Sequence, residues 1–352
     1  MPTPEPPPEP SPALRLRIDA DALAANWRAL DALSGVASAG AAVKAQAYGV
    51  GAERVVPVLR DAGCRDFFVA HWSEAAEVAA LAGPARVAVL HGPLTAADAA
   101  FARATGVRPV LNSIPQARLW SNTGGGPCDL MVDTGMNRLG LPMAEVGNPA
   151  IAALTIDVLH SHLVASEDDG AINTVQRDRW IAARQAVPHA RAAIANSAGI
   201  ALGRGWHGDL TRPGLALYGG VPRPELAASI RQVVRPQAAI LQVRAIAAGE
   251  TVGYNGTFTA DRPMRVATVA IGYADGYLRC WSGKGLLRSK NASHRVLGRV
   301  SMDMTIVDIT ESPDLREGDW LDIDYALPDA ARTTGLSQYE LLTLLGRRFL
   351  RE

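Results

Sequence analysis

Lys44 stands in AAVKAQAYGVG, an otherwise apolar stretch that delivers a single amine. A lysine withdrawn from water has its charged form disfavoured. Its pKa then falls from about 10.4, and the amine becomes a usable nucleophile. Asp133, His162, Asn196, Ser197 and Arg212 interrupt other apolar runs in the same way. RPGLALYGG (212–220) and NSAG (196–199) add glycine-flanked backbone and a hydroxyl, groups able to hold a phosphate. An amine beside a phosphate cradle points to pyridoxal 5'-phosphate, an aldehyde cofactor that a lysine holds covalently. His160 and His162 lie two apart and so share a strand face. No third ligand is spaced to join them, so no metal is expected. TGGGP (123–127) precedes a strand and lacks the strand–glycine–helix context of a dinucleotide site.

The elements that must position these residues recur along the chain. Candidate strands are GAAVKA (40–45), DFFVA (66–70), RVAVLHG (86–92), VRPVLN (107–112), CDLMVDTG (128–135), TIDVLHSHL (155–163), ARAAIANS (190–197) and GDLTRPG (208–214). Alanine-rich helical segments lie between them. Near-continuous apolar strands alternating with helices imply parallel strands buried on both faces. The expected class is α/β, a TIM-type (β/α)8 barrel, with a doubly wound open sheet as the competing architecture. In a barrel, Lys44 closes strand one, Asp133 strand five and His162 strand six. Asn196 and Ser197 close strand seven, and Arg212 closes strand eight. Those ends converge on the face where barrel active sites form.

After about residue 230 the strands follow one another without helices, which predicts a second, mostly antiparallel β domain. There only SQYELLTLLGRRFL reads as a helix, with Ser337 as N-cap and Glu340 completing a capping box. The expected organisation is a disordered Pro-rich tail over 1–12, the barrel over 13–230 and the β domain over 231–352.

Composition narrows the function. The 352 residues carry 35 Lys+Arg against 35 Asp+Glu, so no charge excess favours a nucleic-acid partner. With 7 Trp, 7 Tyr and 5 Phe, stacking platforms for single strands are scarce. Cys64, Cys128 and Cys280 form neither a disulfide framework nor a metal pair. No run approaches the ~20 apolar residues of a membrane span, and no secretory signal is visible. A cytoplasmic enzyme with a small-molecule substrate and no membrane partner is expected.

The motifs AAVKAQAYGVG, VDTGMNRLGL, HSHLVASED, ANSAGI, TRPGLALYG, VGYNGTF, VAIGYADGYLR and VLGRVSMDMTIVD, in that order, closely resemble alanine racemases. The resemblance runs from about residue 13 to the C-terminus. It implies a pyridoxal-phosphate racemase working as a head-to-tail homodimer. By that resemblance Lys44 is the cofactor-binding lysine. Tyr48, Ser197 with Asn196 beside it, Gly214, Leu215 and Tyr339 hold the phosphate. Arg212 faces the pyridine nitrogen with His162 supporting it. Arg138 lies near the cofactor hydroxyl and the substrate carboxylate. Tyr254 is a second base reaching the partner subunit's site, and the Met302 backbone meets the substrate carboxylate across the same interface. Glu167, Tyr273, Arg279 and Arg299 line the entrance.

Racemisation removes the α-proton from one face and returns one on the other, so two bases on opposite faces are needed. Lys44 serves one face and Tyr254 the other. A phenol ordinarily gives up its proton near pH 10, so one acting near neutrality needs cations beside it. Arg212 does not readily surrender a proton, which keeps the ring nitrogen unprotonated and favours proton exchange over transamination.

The chain also departs from the family pattern. Gln46 and Val50 replace an Asn and a His that relatives carry beside the lysine. Met131 stands where many relatives have a carbamylated lysine that orients the equivalent of Arg138. Glu167-Asp168 reverses the usual acidic pair. Rival readings are a racemase of serine or of broader specificity, a non-catalytic pyridoxal-phosphate protein, and a two-domain decarboxylase. The second resembles the barrel alone. The third is expected to carry an acidic residue where Arg212 stands.

Overall fold

A computed structural model of the chain describes residues 12–83, 86–290 and 292–352. The tail expected over 1–12 lies, up to residue 11, outside the described residues. The chain divides into two compact units, one formed by Asp19–Val233 and the other by the first strand together with Val234–Glu352.

β1 (Leu14–Ile18) leads into the helix Ala20–Ser34, whose first turn is capped by Asp19 accepting from Ala22 N. The barrel strands follow. They are β2 (Ser38–Ala39), β3 (Ala41–Ala42), β4 (Asp66–Val69), β5 (Arg86–Val89), β6 (Arg108–Leu111) and β7 (Pro127–Asp133). After a short β8 (Leu141–Pro142) come β9 (Thr155–His160), β10 (Arg191–Ala193) and β11 (Leu210–Thr211). β2 and β3 are one strand interrupted at Gly40, where a Cβ would meet Asp66 O at 2.7 Å.

β3, β4, β5, β6, β7, β9 and β10 pair in that order, all parallel, and β11 pairs with β2. Asp209 N donates to Ala192 O and Arg212 N to Ala195 O, both at 2.8 Å, which closes the ring. Helices such as Ala52–Ala62, Trp72–Ala82 and Ala171–Ala186 alternate with these strands. Inside, Phe68, Ala88, Val110, Met131, Val158, Ala193 and Leu210 form one buried cluster, one residue from each of seven strands. This packed interior is what the expected (β/α)8 barrel requires.

Below that cluster lies a layer of charge. Asp66, Arg86, Arg108, Asp129, Asp157 and Arg191 come from six different strands. Arg191 bridges Asp66 (3.0 Å) and Asp157 (2.9 Å), and Arg86 pairs with Asp66 (2.9 Å). Arg108 pairs with Asp157 and stands 3.8 Å from Asp129. Burial alone would raise the Asp66 and Asp157 carboxyls. Hydrogen bonds from arginines outweigh it and hold both below the ordinary carboxylate range. A carboxyl depressed by folding adds stability above its unfolded pKa, about 3.9, and loses it as pH falls further. Acid unfolding should therefore steepen below about pH 4. In Asp66→Asn that acid-side slope should flatten, with a loss of about 2 kcal/mol at neutral pH. Denaturant titrations at several pH values check both.

In the second unit the strands are β12 (Val234–Ile246), β13 (Thr251–Val252), β14 (Phe258–Thr259), β15 (Met264–Val269) and β16 (Leu286–Arg288). They continue with β17 (Ser293–Leu297), β18 (Thr305–Asp308), β19 (Trp320–Ile323) and β20 (Leu350–Arg351). The order β15-β18-β17-β16-β19-β12 closes on itself through β12–β15, giving a small antiparallel barrel. A register shift between Ile240 and Gln242 lets the first part of β12 face β19 and the second part β15.

Two findings differ from the sequence reading. β1 was expected within the barrel range that begins at residue 13. It pairs instead with β12, from Leu14↔Ala238 to Ile18↔Val234, and with β20 on its other edge. Leu14 and Leu16 point into that unit's core, a short two-residue alternation that adjoining charges mask. A helix over Leu327–Thr334 also precedes the expected one. Its Pro328 reads as a turn but sits in the first turn, where a missing N–H costs nothing. The later helix, Gln338–Thr343, has the Ser337–Glu340 capping box that the sequence suggested. Among the described residues no helix is long and apolar enough to cross a membrane.

Candidate active site

Lys44 lies one residue beyond β3, after Val43, and the chain then makes a turn of left-handed helix. Ala45, Gln46, Ala47 and Tyr48 have φ of 53°, 54°, 51° and 57°. For residues other than glycine each such conformation costs roughly 1–2 kcal/mol, so the surroundings must enforce it. Ala47 N donates to Val43 O and Gly49 N to Ala45 O, both at 2.9 Å. The Glu74 carboxylate accepts from Ala45 N and also from Ala70 N and His71 N. Gln46 donates through Nε2 to Glu77 Oε2 at 2.8 Å, and Val50 is fully buried. The two departures beside the lysine thus have structural roles here, one as a clamp on the turn and one as core. Tyr48 stacks on Tyr218 at 4.9 Å, and Tyr218 Oη donates to Ala42 O at 2.8 Å.

The Lys44 amine is half-buried, and its pKa is lowered. Desolvation is the largest cause; the positive charges of Arg138 and Arg212 add to it, and Glu74 opposes. A larger share of neutral amine is therefore available for nucleophilic attack and proton transfer.

Next to it lies a cradle of neutral donors. Asn196 caps the short helix Ser197–Ala201 by accepting from Gly199 N (2.8 Å), and Ser166 Oγ donates to the same oxygen (2.9 Å). Ser197 Oγ accepts from Gly214 N at 3.0 Å and Ala216 N at 3.2 Å, which joins the end of β10 to the loop after β11. Burial pushes the Tyr48 phenol up to about 12, so it remains a proton donor. A Cβ on Gly214 would lie 2.2 Å from Tyr48 Oη, so glycine is what lets the phenol reach this backbone. Gly214→Ala should displace Tyr48 and weaken binding of a phosphate-bearing cofactor at least tenfold, as measured by titration. Leu215 begins the turn Leu215–Tyr218.

Arg212 directly follows β11 and is 7% exposed. Its Nη1 donates to Ala193 O (2.9 Å) and its Nη2 to Ser161 O (2.5 Å). Burial lowers its pKa to about 10, so it stays charged at neutral pH. Its histidine neighbour corrects the sequence reading. Among the described residues, the histidine that accepts a hydrogen bond from Arg212 is His160, through Nδ1 at 3.2 Å, rather than His162. His162 is pushed down to about 3 by burial and by the charges of Arg212, Arg138 and Lys44, and is therefore neutral.

Arg138 is exposed and sits in a loop that Asp133 organises by accepting from Gly135 N, Met136 N and Arg138 N. It shares a cavity of about 410 Å³ with Asn112, Ser113, Gln116 and Leu139. Among the described residues the buried Asn112 Oδ1 atom has no hydrogen-bond partner. Met131, where relatives carry lysine, packs in the barrel interior. Glu167 is exposed after β9.

The remaining expected residues belong to the second unit. Tyr254 is 66% exposed and starts the short turn Tyr254–Gly256, which is set by Gly253 and Asn255 at φ 72° and 62°. Met302 is 53% exposed, and its carbonyl accepts from Ala274 N at 3.0 Å. Gly272 permits that approach, since a Cβ there would lie 2.3 Å from Met302 O. Arg279 is exposed and lies over the Tyr273 ring at 5.5 Å, and Arg299 is also exposed. Tyr339 is half-buried in the helix Gln338–Thr343.

A parallel barrel with a desolvated lysine at its mouth, followed by a closed antiparallel unit, defines a class of two-unit, amine-nucleophile enzymes. Residues 18–222 match the family model for the alanine racemase N-terminal domain and residues 233–352 that for the C-terminal domain, so the chain belongs to the alanine racemase family. It is an isomerase of the amino-acid racemase type. The alanine racemase of Acidiphilium cryptum is 43% identical over 343 residues, covering 94% of this chain and 96% of that protein. That of Methylobacterium nodulans is 43% identical over 347 residues, covering 93% and 92%. Among solved structures, the Bartonella henselae alanine racemase with covalently bound pyridoxal phosphate superposes with a TM-score of 0.88. It is 36% identical, with 97% of this chain and 99% of that one covered. The biosynthetic enzyme of Pseudomonas aeruginosa gives 0.87 at 31% identity, covering 97% and 99%.

Proposed function

We propose that this protein interconverts L- and D-alanine with pyridoxal 5'-phosphate as cofactor. The observation that carries the reading is the lowered pKa of Lys44 beside the cradle of Tyr48, Ser197 and Gly214. The donor set suits the cofactor. Lys44 supplies the amine for its aldehyde, and Tyr48, Ser197, Asn196, Gly214, Leu215 and Tyr339 suit its phosphate. When bound, the cofactor acidifies the substrate's α-carbon proton by drawing electron density into its ring.

The rest of the chemistry falls to this chain's residues. Arg138 and the Met302 backbone orient the substrate carboxylate. With the cofactor bound, Arg212 would offer a hydrogen bond to its pyridine nitrogen and, not readily surrendering a proton, would leave that nitrogen unprotonated. Lys44 Nζ takes or returns the α-proton of the D-enantiomer on one face. Tyr254 Oη does so for the L-enantiomer on the other. The exposure of Tyr254 and Met302 supports a head-to-tail homodimer in which Tyr254 of the partner subunit completes each site. Glu167, Tyr273, Arg279 and Arg299 flank the approach. The working context proposed is cytoplasmic, with D-alanine formed as a peptidoglycan precursor.

The test is purified protein supplied with pyridoxal phosphate. Loss of optical rotation is followed with L-alanine, D-alanine and L-serine, and mass in solution is measured by light scattering. Alanine should be the fastest substrate and the mass that of a dimer. Cofactor uptake without turnover of any amino acid would leave a carrier rather than a racemase.

A further inference from the structure

Arg212 is not held by backbone carbonyls alone. Behind it, inside the barrel, His160 is 0% and Asp129 2% exposed. His160 Nδ1 lies 3.2 Å from Arg212 Nη1, and His160 Nε2 lies 3.1 Å from Asp129 Oδ2. We propose that Asp129 and His160 are a positioning pair that fixes the orientation of Arg212 toward the cofactor ring. This deepens the function proposed above and rests on that reading of the barrel mouth.

The polarity of the chain is determined by chemistry. A guanidinium offers only donors, so the His160 nitrogen facing it must present a lone pair. The imidazole proton then sits on Nε2 and is given to Asp129. His160 is thereby a neutral acceptor with a single allowed tautomer. Phe68 closes one side of it edge-on, at 5.7 Å between ring centres. Asp129 is itself held, since its Oδ1 accepts from Val158 N at 3.2 Å and Arg108 stands 3.8 Å away in the charged layer. The orienting contact therefore reaches the strand framework rather than a mobile side chain.

The consequence for Arg212 is specific. Both Nη1 hydrogens are consumed, by Ala193 O and His160 Nδ1, and one Nη2 hydrogen goes to Ser161 O. Among the described residues the Nε hydrogen and the second Nη2 hydrogen have no acceptor, and they remain for a ligand. Without His160 one Nη1 hydrogen loses its acceptor, and the guanidinium can swing to recover one. Partners that orient the ligands of a bound metal change affinity or activity by roughly 10- to 100-fold when removed, and an effect of the same order is expected for a pair that orients Arg212.

The variants are His160→Leu, which removes both hydrogen bonds, and His160→Gln, whose amide can accept from Arg212 and donate to Asp129. In cofactor-free protein labelled with 15N-histidine, His160 should show a protonated Nε2 and a bare Nδ1. In the holoenzyme, His160→Leu should lower kcat for L-alanine by roughly 10- to 100-fold with KM changed less than about twofold. Its visible cofactor band should become pH-dependent where the wild type's is not. His160→Gln should recover most of kcat and the pH-independent band. A His160→Leu protein with wild-type kcat and band, or one that merely loses active protein in step with a lower melting temperature, would overturn the pair's role. The opposite imidazole tautomer would overturn the pairing itself. Wild-type protein that takes up no pyridoxal phosphate would instead overturn the reading of the site on which the pair's role rests.

Discussion

Replacing Lys44 with alanine is expected to lower alanine racemisation by about 10⁴-fold or more, since in the proposed mechanism one residue both anchors the cofactor and moves a proton. The fold should survive. Lys44 is only half-buried, and the left-handed turn beyond it is held by backbone groups, Glu74 and Gln46. The chemistry of attachment can be read without any assay of turnover. The chain has three lysines, Lys44, Lys284 and Lys290, and Lys44 is the one in the barrel unit. After reduction of the holoenzyme with borohydride, peptide mass mapping should find the adduct on the peptide that contains Lys44. Lys44→Ala should carry none. An adduct on Lys284 or Lys290 would reverse the assignment.

Tyr254→Phe should lower racemisation by about 10²- to 10⁴-fold while leaving stability within about 0.5 kcal/mol, because the phenol is on the surface of its unit. The loss should also be one-sided. In heavy water the variant should still exchange the α-proton of D-alanine through Lys44, and exchange from L-alanine should collapse. Equal exchange from both enantiomers, at the wild-type rate, would remove Tyr254 from catalysis. The two variants also test the shared site together. A dimer of one Lys44→Ala and one Tyr254→Phe subunit contains one site with both residues intact. Mixing the two inactive proteins under exchanging conditions should recover about a quarter of wild-type activity, since half the dimers are mixed and half their sites complete. No recovery would mean that each subunit supplies its own tyrosine.

The barrel strands were legible because strands buried on both faces form short apolar runs, and a lone lysine or arginine at the end of such a run is conspicuous. Which side chains meet inside the ring was not. His160 and His162 share a strand face, and only the closed barrel brings His160 to an arginine 52 positions away. Asp129 was hidden in the same way within an apolar strand. The left-handed turn after Lys44 carries no glycine or asparagine in its four residues, so local preference argued against it. Packing of Tyr48 on Tyr218 and the bonds to Glu74 and Glu77 override that preference. Of the two departures from the family pattern beside the lysine, Gln46 is part of that enforcement and Val50 is core. β1 escaped notice because its five residues precede a strong helix and find their partners more than 200 residues later.

That last pairing governs how the protein can be recombined. The strand beside β12 is supplied from more than 200 residues earlier in the chain, with the whole barrel intervening. A hybrid that exchanges only Val234–Glu352 with a relative would pair a foreign β12 and β20 with the resident Leu14–Ile18, testing register compatibility at a seam nobody intended. Exchanging the barrel instead, with crossovers after Ile18 and before Val234, keeps β1, β12 and β20 from one parent. Fragment libraries built from this chain should accordingly place their breakpoints in pairs, not singly.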